Sequence, residues 1–238
     1  MEIYAVKTFD ITEEKLQDLC LLISSEKKHK IDKFINKEDK IRTLIGEILI
    51  RTIIVKQLGI KNENIRFEKN RYGKPHLKEY PMINFNISHS GDFVVCATHN
   101  KPIGIDIEEI KKIEYENISK NFFALSEFNY IIKQKIDIQL SKFYEIWTLK
   151  ESYIKCCGQG LSIPLKSFSI DIDQYEDIKV IVNEGHNNHR FKIFDMMLGY
   201  KMAVCLENKE IINNIITIDQ NSLINNYSKL DLQLEELR

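Results

Sequence analysis

The chain has 238 residues, of which 43% are apolar and 29% are charged, a balance typical of a globular protein with a substantial core. Its 34 basic and 35 acidic residues give a net charge of -1, so charge does not indicate binding to nucleic acid or to an anionic membrane. No run is long and apolar enough to span a bilayer, and the five cysteines lack the spacing of a disulfide framework or a zinc site. These features favour a cytoplasmic protein that binds neither nucleic acid nor membrane.

The first half of the chain predicts helices followed by short strands. Thr12 is expected to cap a helix that runs to residue 23, and Ser25 to cap a short basic helix after it. A long amphipathic helix is predicted over 37–58, where Gly59 supplies a stop. Short strands separated by turn residues follow at 65–68, 83–87, 93–98 and 103–108.

The second half repeats this order, with helices predicted at 126–133 and 141–157. Strands are then predicted at 168–172, 179–182, 191–194 and 200–206. The repeat predicts an α+β fold of two similar halves, each with helices packed on a small, mainly antiparallel sheet. Chance similarity between two buried strands explains the likeness of 93–97 and 201–205 equally well. Residues 209–238 are polar and are predicted to form an appendage, with a helix near 230–237.

The strand at 103–108 carries two acids on one face. Isoleucines at 103, 105 and 107 alternate with Gly104, Asp106 and Glu108, so the two carboxylates point away from the core side by side. Neighbouring carboxylates without histidine or cysteine indicate a site for a hard cation, Mg²⁺ or Mn²⁺. The alternative is an amphipathic strand with a solvated acidic face, and this segment alone favours that alternative.

Further candidate site residues lie in three other segments. Glu151 and Lys155 share one face of the second long helix, where they could hold a metal ion beside a phosphate or form a surface ion pair. His89 lies in a polar turn and could bind a phosphate or simply close the turn. A basic and polar cluster surrounds the start of the first long helix, where free backbone amides favour anions. Its members are Lys27, Lys30, Arg42 and Thr43.

Four motifs occur in one order and register over residues 1–206. They are Tyr72-Gly73-Lys74-Pro75, Phe85-Asn86-Ile87-Ser88-His89-Ser90-Gly91, Gly104-Ile105-Asp106-Ile107-Glu108 and Trp147-x-x-Lys150-Glu151-Ser152-x-x-Lys155-x-x-Gly158-x-Gly160-Leu161. Together they are highly specific, and the chain resembles the 4′-phosphopantetheinyl transferases of the Sfp type, the surfactin-synthetase-activating enzymes.

The resemblance implies a monomer built as a pseudo-dimer of two α/β halves, with coenzyme A in the cleft between them. On this basis residues 1–103 form the nucleotide side and residues 104–208 carry the metal ligands and dock the carrier, while residues 209–238 are the appendage. The implied ligands of Mg²⁺ (Mn²⁺ is an alternative) are Asp106, Glu108 and Glu151. The implied coenzyme A contacts are Lys27, Lys30, Arg42, Thr43, Gly73, Lys74, Pro75, Ser88, His89 and Lys155.

The implied reaction moves the 4′-phosphopantetheine arm of coenzyme A onto a serine of an apo peptidyl or acyl carrier protein and releases 3′,5′-ADP. Glu151, Lys155 and His89 are the implied catalytic residues. The base that accepts the serine proton remains open between Glu151, Glu127 and a metal-bound water. Carrier docking is expected around Phe122, Phe123 and Leu125, beside Lys111, Lys112 and Lys120. A coenzyme A sensor without catalysis and a metal-dependent phosphohydrolase are the rival interpretations.

Overall fold

The computed structural model describes residues 1–174, 177–182, 185–186, 188–195, 198–207 and 214–230. The first part of the chain places its helices before most of its strands. The helices are α1 (Glu13–Cys20), α2 (Ser25–Asp32) and α3 (Lys37–Leu58). The strands are β1 (Glu2–Lys7), β2 (Phe67–Lys69), β3 (Pro75–Leu77), β4 (Asn84–Ser90), β5 (Phe93–His99) and β6 (Ile103–Glu109).

The second part has the same order. Its helices are α4 (Tyr115–Phe122), α5 (Leu125–Ile132) and α6 (Ile136–Cys157). Its strands are β7 (Phe168–Ile172), β8 (Ile178–Val182), β9 (Gly185–His186), β10 (His189–Phe194) and β11 (Tyr200–Glu207). The chain then continues into β12 (Ile215–Ile218) and α7 (Gln220–Tyr227).

Local signals place the ends of several helices correctly. Thr12 caps α1, since its side chain accepts a hydrogen bond from the backbone N–H of Lys15. The long helix α3 has the predicted bounds and ends at Gly59, which has a left-handed φ of 64°. The predicted cap of α2 is wrong by one residue, because the Ser24 side chain accepts the hydrogen bond from Lys27 N–H.

The two main sheets follow the two parts of the chain. The first has the strand order β12-β1-β5-β4 and is antiparallel except for the parallel pair β1–β12, and the second is antiparallel in the order β10-β11-β6. This arrangement confirms the predicted α+β class with two similar halves. The two halves meet at β4 and β6, which lie beside each other but belong to different sheets.

Three groups of buried side chains form the core. One packs around α3, a second around α6, and a third lies between the two sheets. The third group includes Ile103, Ile105 and Ile107, all fully buried, so the predicted apolar face of β6 is confirmed. The opposite face of β6 therefore carries Asp106 and Glu108 towards α6.

Residues 214–230 are part of the first half of the fold. Strand β12 pairs with β1, and Leu223 and Ile224 of α7 are buried in the core around α3. The helix predicted near 230–237 lies almost wholly outside the described residues. Across the residues that the structure describes, none of the helices combines the length and the apolar character that crossing a membrane requires.

Candidate active site

Side chains of β4 join the two sheets. Asn86 Oδ1 accepts a hydrogen bond from the backbone N–H of Ile105 at 2.8 Å. The hydroxyl oxygens of Ser88 and Ser90 accept from the N–H groups of Ile107 and Glu109 at 3.4 Å and 3.1 Å. Asn86, Ser88 and Ser90 lie at every second position of β4, and their side chains therefore share one face of the strand.

The same two serines hold the acidic side chains of β6. The Ser88 hydroxyl donates to Asp106 Oδ1 at 2.8 Å, and the Ser90 hydroxyl donates to Glu108 Oε2 at 2.9 Å. Asp106 is only 2% exposed. Each serine thus fixes both the backbone of β6 and one predicted metal ligand.

Gly104 allows α6 to lie directly against this face of β6. A Cβ atom at Gly104 would lie 1.9 Å from the carbonyl oxygen of Ser152 and 2.5 Å from the backbone nitrogen of Cys156. This close approach brings Lys155 of α6 to the acids of β6. Its Nζ lies 2.5 Å from Asp106 Oδ1 and 2.9 Å from Ser88 Oγ.

The three predicted metal ligands repel one another electrostatically. Burial raises the pKa of Glu108 to about 7, and the negative charge of Asp106 contributes further. Burial and Asp106 also raise the pKa of Glu151, while Lys155 opposes the shift. A cation bound among these carboxylates would relieve both costs.

One carboxylate oxygen of Asp106 is available to bind a cation. Its Oδ2 is buried and has no hydrogen-bond partner among the described residues, although its other oxygen is bound by Ser88 and Lys155. The donor set consists of carboxylate oxygens, which Mg²⁺ and Mn²⁺ prefer. The three carboxylates are not a preassembled ligand set, because in the described part of the chain only another trio has all its ligand atoms within 4.8 Å.

A cleft with basic walls opens beside β4. One cavity of ≈ 500 Å³ is lined by Lys27, Lys30, Gly73, Pro75 and Phe85, among others. An adjoining cavity of ≈ 220 Å³ shares four of these five residues and adds Arg42, Thr43 and His89. Together these cavities gather most of the predicted coenzyme A contacts. Asn86, which lies on the same face of β4 as Ser88, also lines the smaller cavity.

Three basic side chains of the cleft have different environments. Lys27 pairs with Glu47 at 3.2 Å. Arg42 donates to the carbonyl oxygen of Gly91 and to Asp39, but its buried Nε has no partner among the described residues. Partial burial lowers the pKa of His89, and the positive charges of Arg42 and Lys155 lower it further, which favours its neutral form.

Lys74 has a different environment from the one that its predicted phosphate contact requires. Its ammonium group donates to the carbonyl oxygens of Ile103, Lys155 and Cys156 at 3.0, 2.6 and 3.4 Å. It therefore binds the carboxyl end of α6, where free carbonyl groups favour a cation. Its neighbours Gly73 and Pro75 line the cleft.

Glu127 is part of the protein's interior. Both of its carboxylate oxygens accept from Lys150 Nζ, at 2.7 and 2.9 Å, and they also accept from the N–H groups of Ile170 and Ala124. Glu127 is 1% exposed and Lys150 is fully buried. This environment contradicts the alternative in which Glu127 accepts the serine proton.

The predicted docking residues separate into two groups. Phe122 and Leu125 are 55% and 73% exposed. Phe123 is buried and stacks on Phe143 at a centroid distance of 5.4 Å, so of the two uses open to it, core packing and carrier docking, the structure favours core packing. Sequence reasoning also missed Asn86 and Ser90 as site residues, although the alternation of polar residues along β4 was a visible signal.

Two family models match the chain in succession. The model described as "4'-phosphopantetheinyl transferase, N-terminal" matches residues 7–101, and the model "4'-phosphopantetheinyl transferase superfamily" matches residues 102–205. The boundary between them falls at the start of β6.

Curated relatives match most of the chain. It is 38% identical over 225 residues to 4'-phosphopantetheinyl transferase Sfp of Bacillus subtilis (strain 168), a match that covers 94% of this chain and 100% of the relative. It is 40% identical over 197 residues to 4'-phosphopantetheinyl transferase gsp of Aneurinibacillus migulanus, covering 82% and 81%. Among solved structures, a holo-(acyl-carrier-protein) synthase from Bacillus anthracis in complex with CoA (3',5'-ADP) matches with a TM-score of 0.40 and 21% identity, over 45% of this chain and 96% of that one.

Proposed function

This chain belongs to the 4′-phosphopantetheinyl transferase superfamily, and from that premise we propose that it binds coenzyme A in the basic cleft and Mg²⁺ at Asp106, Glu108 and Glu151. The reaction transfers phosphopantetheine from coenzyme A to a serine of a carrier protein. The observation that carries the site assignment is the contact of Lys155 with Ser88 and Asp106, because it brings a cation of α6 to a proposed metal ligand of β6.

The cleft supplies the positive charge that a nearly neutral protein needs to hold coenzyme A. Lys27, Lys30 and Arg42 line it and would bind the phosphates of the nucleotide. The unpartnered Nε of Arg42 is a donor ready for such an oxygen. The lowered pKa of His89 favours its neutral form, and a phosphate bound beside it would raise that pKa.

The acids of β6 and α6 would hold the metal ion, which would supply positive charge to neutralise the 3′,5′-ADP leaving group. Lys155 stabilises the negative charge on the phosphoryl group under attack. The carrier serine oxygen bonds to the phosphorus that bears pantetheine, the bond to the 3′,5′-ADP oxygen breaks, and the serine proton passes to a base. Glu151 is the base proposed here, because its carboxylate shares one face of α6 with Lys155, which would bind the phosphoryl group.

The remaining features of the proposal concern the whole protein. We assign residues 1–103 to the nucleotide side and 104–208 to the metal side, within a cytoplasmic monomer. Its partner is an apo peptidyl or acyl carrier protein. The exposed side chains of Phe122 and Leu125 are the proposed carrier contacts.

The test is intact mass spectrometry of an apo carrier protein incubated with the enzyme, coenzyme A and Mg²⁺. The carrier should gain the mass of one phosphopantetheine arm, and EDTA should abolish the gain. Asp106→Asn should lower kcat/KM at least about 100-fold, because it removes one of the charges that would hold the metal ion.

The matched control is Asp171→Asn, which changes an exposed acid of β7 and should leave the rate unchanged. Coenzyme A cleavage without carrier modification would favour the hydrolase, and binding without any reaction would favour the sensor. An unchanged rate in Asp106→Asn would refute the metal assignment.

A further inference from the structure

Two cysteines and a histidine, which bind metals through sulfur and nitrogen, lie together where the end of α6 meets β10 and β11. Cys156 lies near the end of α6, His189 begins β10, and Cys205 lies in β11. One ligand atom from each lies within 4.8 Å of the other two. Tetrahedral Zn²⁺ with bonds of about 2.0–2.3 Å holds its ligand atoms somewhat under 4 Å apart, so a small contraction would complete this geometry.

The cluster is enclosed by the core of the second half. Cys156 is 2% exposed and Cys205 is fully buried. The Cys156 thiol donates to the carbonyl oxygen of Pro102 at 3.2 Å. His189 is half-buried, and its ring packs edge-on against Tyr153 at a centroid distance of 5.0 Å. Its Nδ1 is buried without a hydrogen-bond partner among the described residues, which is costly unless something binds there.

The surroundings of the cluster favour a deprotonated thiol at Cys156. A hydrogen bond from Cys205 lowers the pKa of Cys156 to about 6, and His189 and Lys74 contribute against the effect of burial. Burial disfavours the charged form of His189, but hydrogen bonds and charge interactions with Cys156 and Cys157 outweigh it and raise its pKa to about 9. The thiol of Cys205 has a raised pKa because of its burial and of Cys156. Binding of a metal ion would displace the protons that these three side chains carry.

Cys157 could complete the coordination. It is adjacent to Cys156, is half-buried, and lies close enough to His189 to raise that residue's pKa. With the thiolates of Cys156 and Cys205, the neutral imidazole of His189 and Zn²⁺, the three-ligand centre has no net charge, and a thiolate from Cys157 would make it negative. It would therefore not repel the nearby ammonium group of Lys74.

We propose that Cys156, His189 and Cys205 form a second metal site, which takes a thiophilic ion such as Zn²⁺ and is separate from the oxygen-ligand site of the reaction. Sulfur and imidazole ligands select Zn²⁺ over Mg²⁺. The ion would join α6 to β10 and β11. Because Cys156 follows Lys155, the ion would also fix the end of the helix that carries Glu151.

The test uses the full chain purified without a polyhistidine tag and kept reduced, with excess Mg²⁺ to occupy the carboxylates. Zn²⁺ binding is measured by competition with a chromogenic chelator. Co²⁺ is then used as a spectroscopic probe, because only thiolate ligands produce sulfur-to-cobalt charge transfer. We expect one Zn²⁺ per chain and a charge-transfer band with Co²⁺.

Cys156→Ser should weaken the sulfur-to-cobalt charge-transfer band, because one thiolate is lost. It should also weaken Zn²⁺ binding by more than the roughly 10- to 100-fold that loss of an outer-sphere partner costs. His189→Gln, at a half-buried position, is the second variant in case Cys156→Ser does not fold. Cys96→Ala is the matched control, since Cys96 is a buried free cysteine of β5 in the other half, and it should bind Zn²⁺ like the unmodified chain.

Three results would overturn the proposal. They are Co²⁺ binding without a thiolate band, equal Zn²⁺ affinity in the unmodified chain and in both ligand variants, and a mass loss that shows a Cys156–Cys205 disulfide in the reduced preparation. None of these readouts depends on transferase activity, so failure here leaves the proposed reaction untouched.

Discussion

At the scale of single residues, the site depends on side chains that serve two partners at once. The Ser90 hydroxyl accepts from the backbone N–H of Glu109 and donates to Glu108 Oε2. It therefore positions a proposed metal ligand without needing to touch the metal. Ser88, two residues earlier in β4, positions Asp106 in the same way.

Replacing Ser90 by alanine should weaken the response to Mg²⁺. The loss of one hydrogen bond to a charged acceptor corresponds to about 1.5 kcal/mol, or roughly tenfold in the Mg²⁺ concentration that gives half-maximal transfer. The measurement is initial rate against Mg²⁺ concentration at saturating coenzyme A. Ser90→Thr keeps the hydroxyl and should restore the response. An unchanged Mg²⁺ dependence in Ser90→Ala would show that Ser90 does not position Glu108.

The pKa of Glu108 predicts how pH affects the metal-free protein. Its folded-state pKa of about 7 lies above its ordinary value of 4.5, so the unfolded chain loses this proton first as pH rises. The free energy of unfolding should therefore fall between about pH 4.5 and 7 and stay low above that range. The raised pKa of Glu151 acts in the same direction.

Thermal unfolding in EDTA at about pH 5 and pH 8 checks this expectation. The loss of Tm should be smaller in Glu108→Gln than in the unmodified chain, and Mg²⁺ should reduce it at the higher pH. A Tm that rises with pH in the unmodified chain but not in the variant would contradict the assigned direction.

At the scale of elements, a buried ion pair joins α5, α6 and β7. Glu127 of α5 binds Lys150 of α6 and accepts from Ile170 N–H of β7, and Lys150 also donates to the carbonyl oxygen of Phe168. Each charge has its partners, which is the condition under which buried charges persist. The pair fixes the rotation of α6, and with it the face on which Glu151 lies.

Glu127→Gln separates this structural role from catalysis. It should lower the free energy of unfolding by about 3–5 kcal/mol, because it leaves Lys150 buried and uncompensated. The kcat of the protein that remains folded should stay unchanged. Urea denaturation and single-turnover rates give the two quantities. Glu151→Gln is the comparison and should show the reverse pattern, and a kcat loss of about 100-fold in Glu127→Gln would make Glu127 the base after all.

At the scale of the whole molecule, the end of the chain returns to its beginning. Strand β12 pairs in parallel with β1, and α7 packs against α3. Tyr227 donates to the carbonyl oxygen of Leu22, which adds a polar contact to the apolar ones. Residues 214–230 thus contribute to the stability of the first half, although no proposed site residue lies among them.

Leu223→Ala should lower the free energy of unfolding by about 2–5 kcal/mol, the range for deleting a buried leucine side chain. The control is Ile216→Ala on β12, since Ile216 is 37% exposed and its truncation should cost much less. Denaturant titration measures both variants. Equal and small effects would mean that α7 is not part of the cooperative unit.

The sequence by itself determined the local structure and the chemical character of the site. The bounds of α3, the glycine at its end and the alternation of β6 depend on neighbouring residues, so they can be predicted without knowledge of the fold. The predicted amphipathic character of α3 is wrong for its middle, where every residue from Thr43 to Val55 is buried. The four motifs also identified the family, because their residue types and order are read directly along the chain.

Only the tertiary structure decided which residues meet. Burial gave Glu127 a structural partner, turned Lys74 towards the carbonyl groups of α6, and placed Phe123 in the core. It also joined two cysteines and a histidine that have no metal-site spacing in sequence. The physical reason is that such contacts arise between elements far apart in the chain, where packing of whole faces, and not the pattern of neighbouring residues, sets the distances.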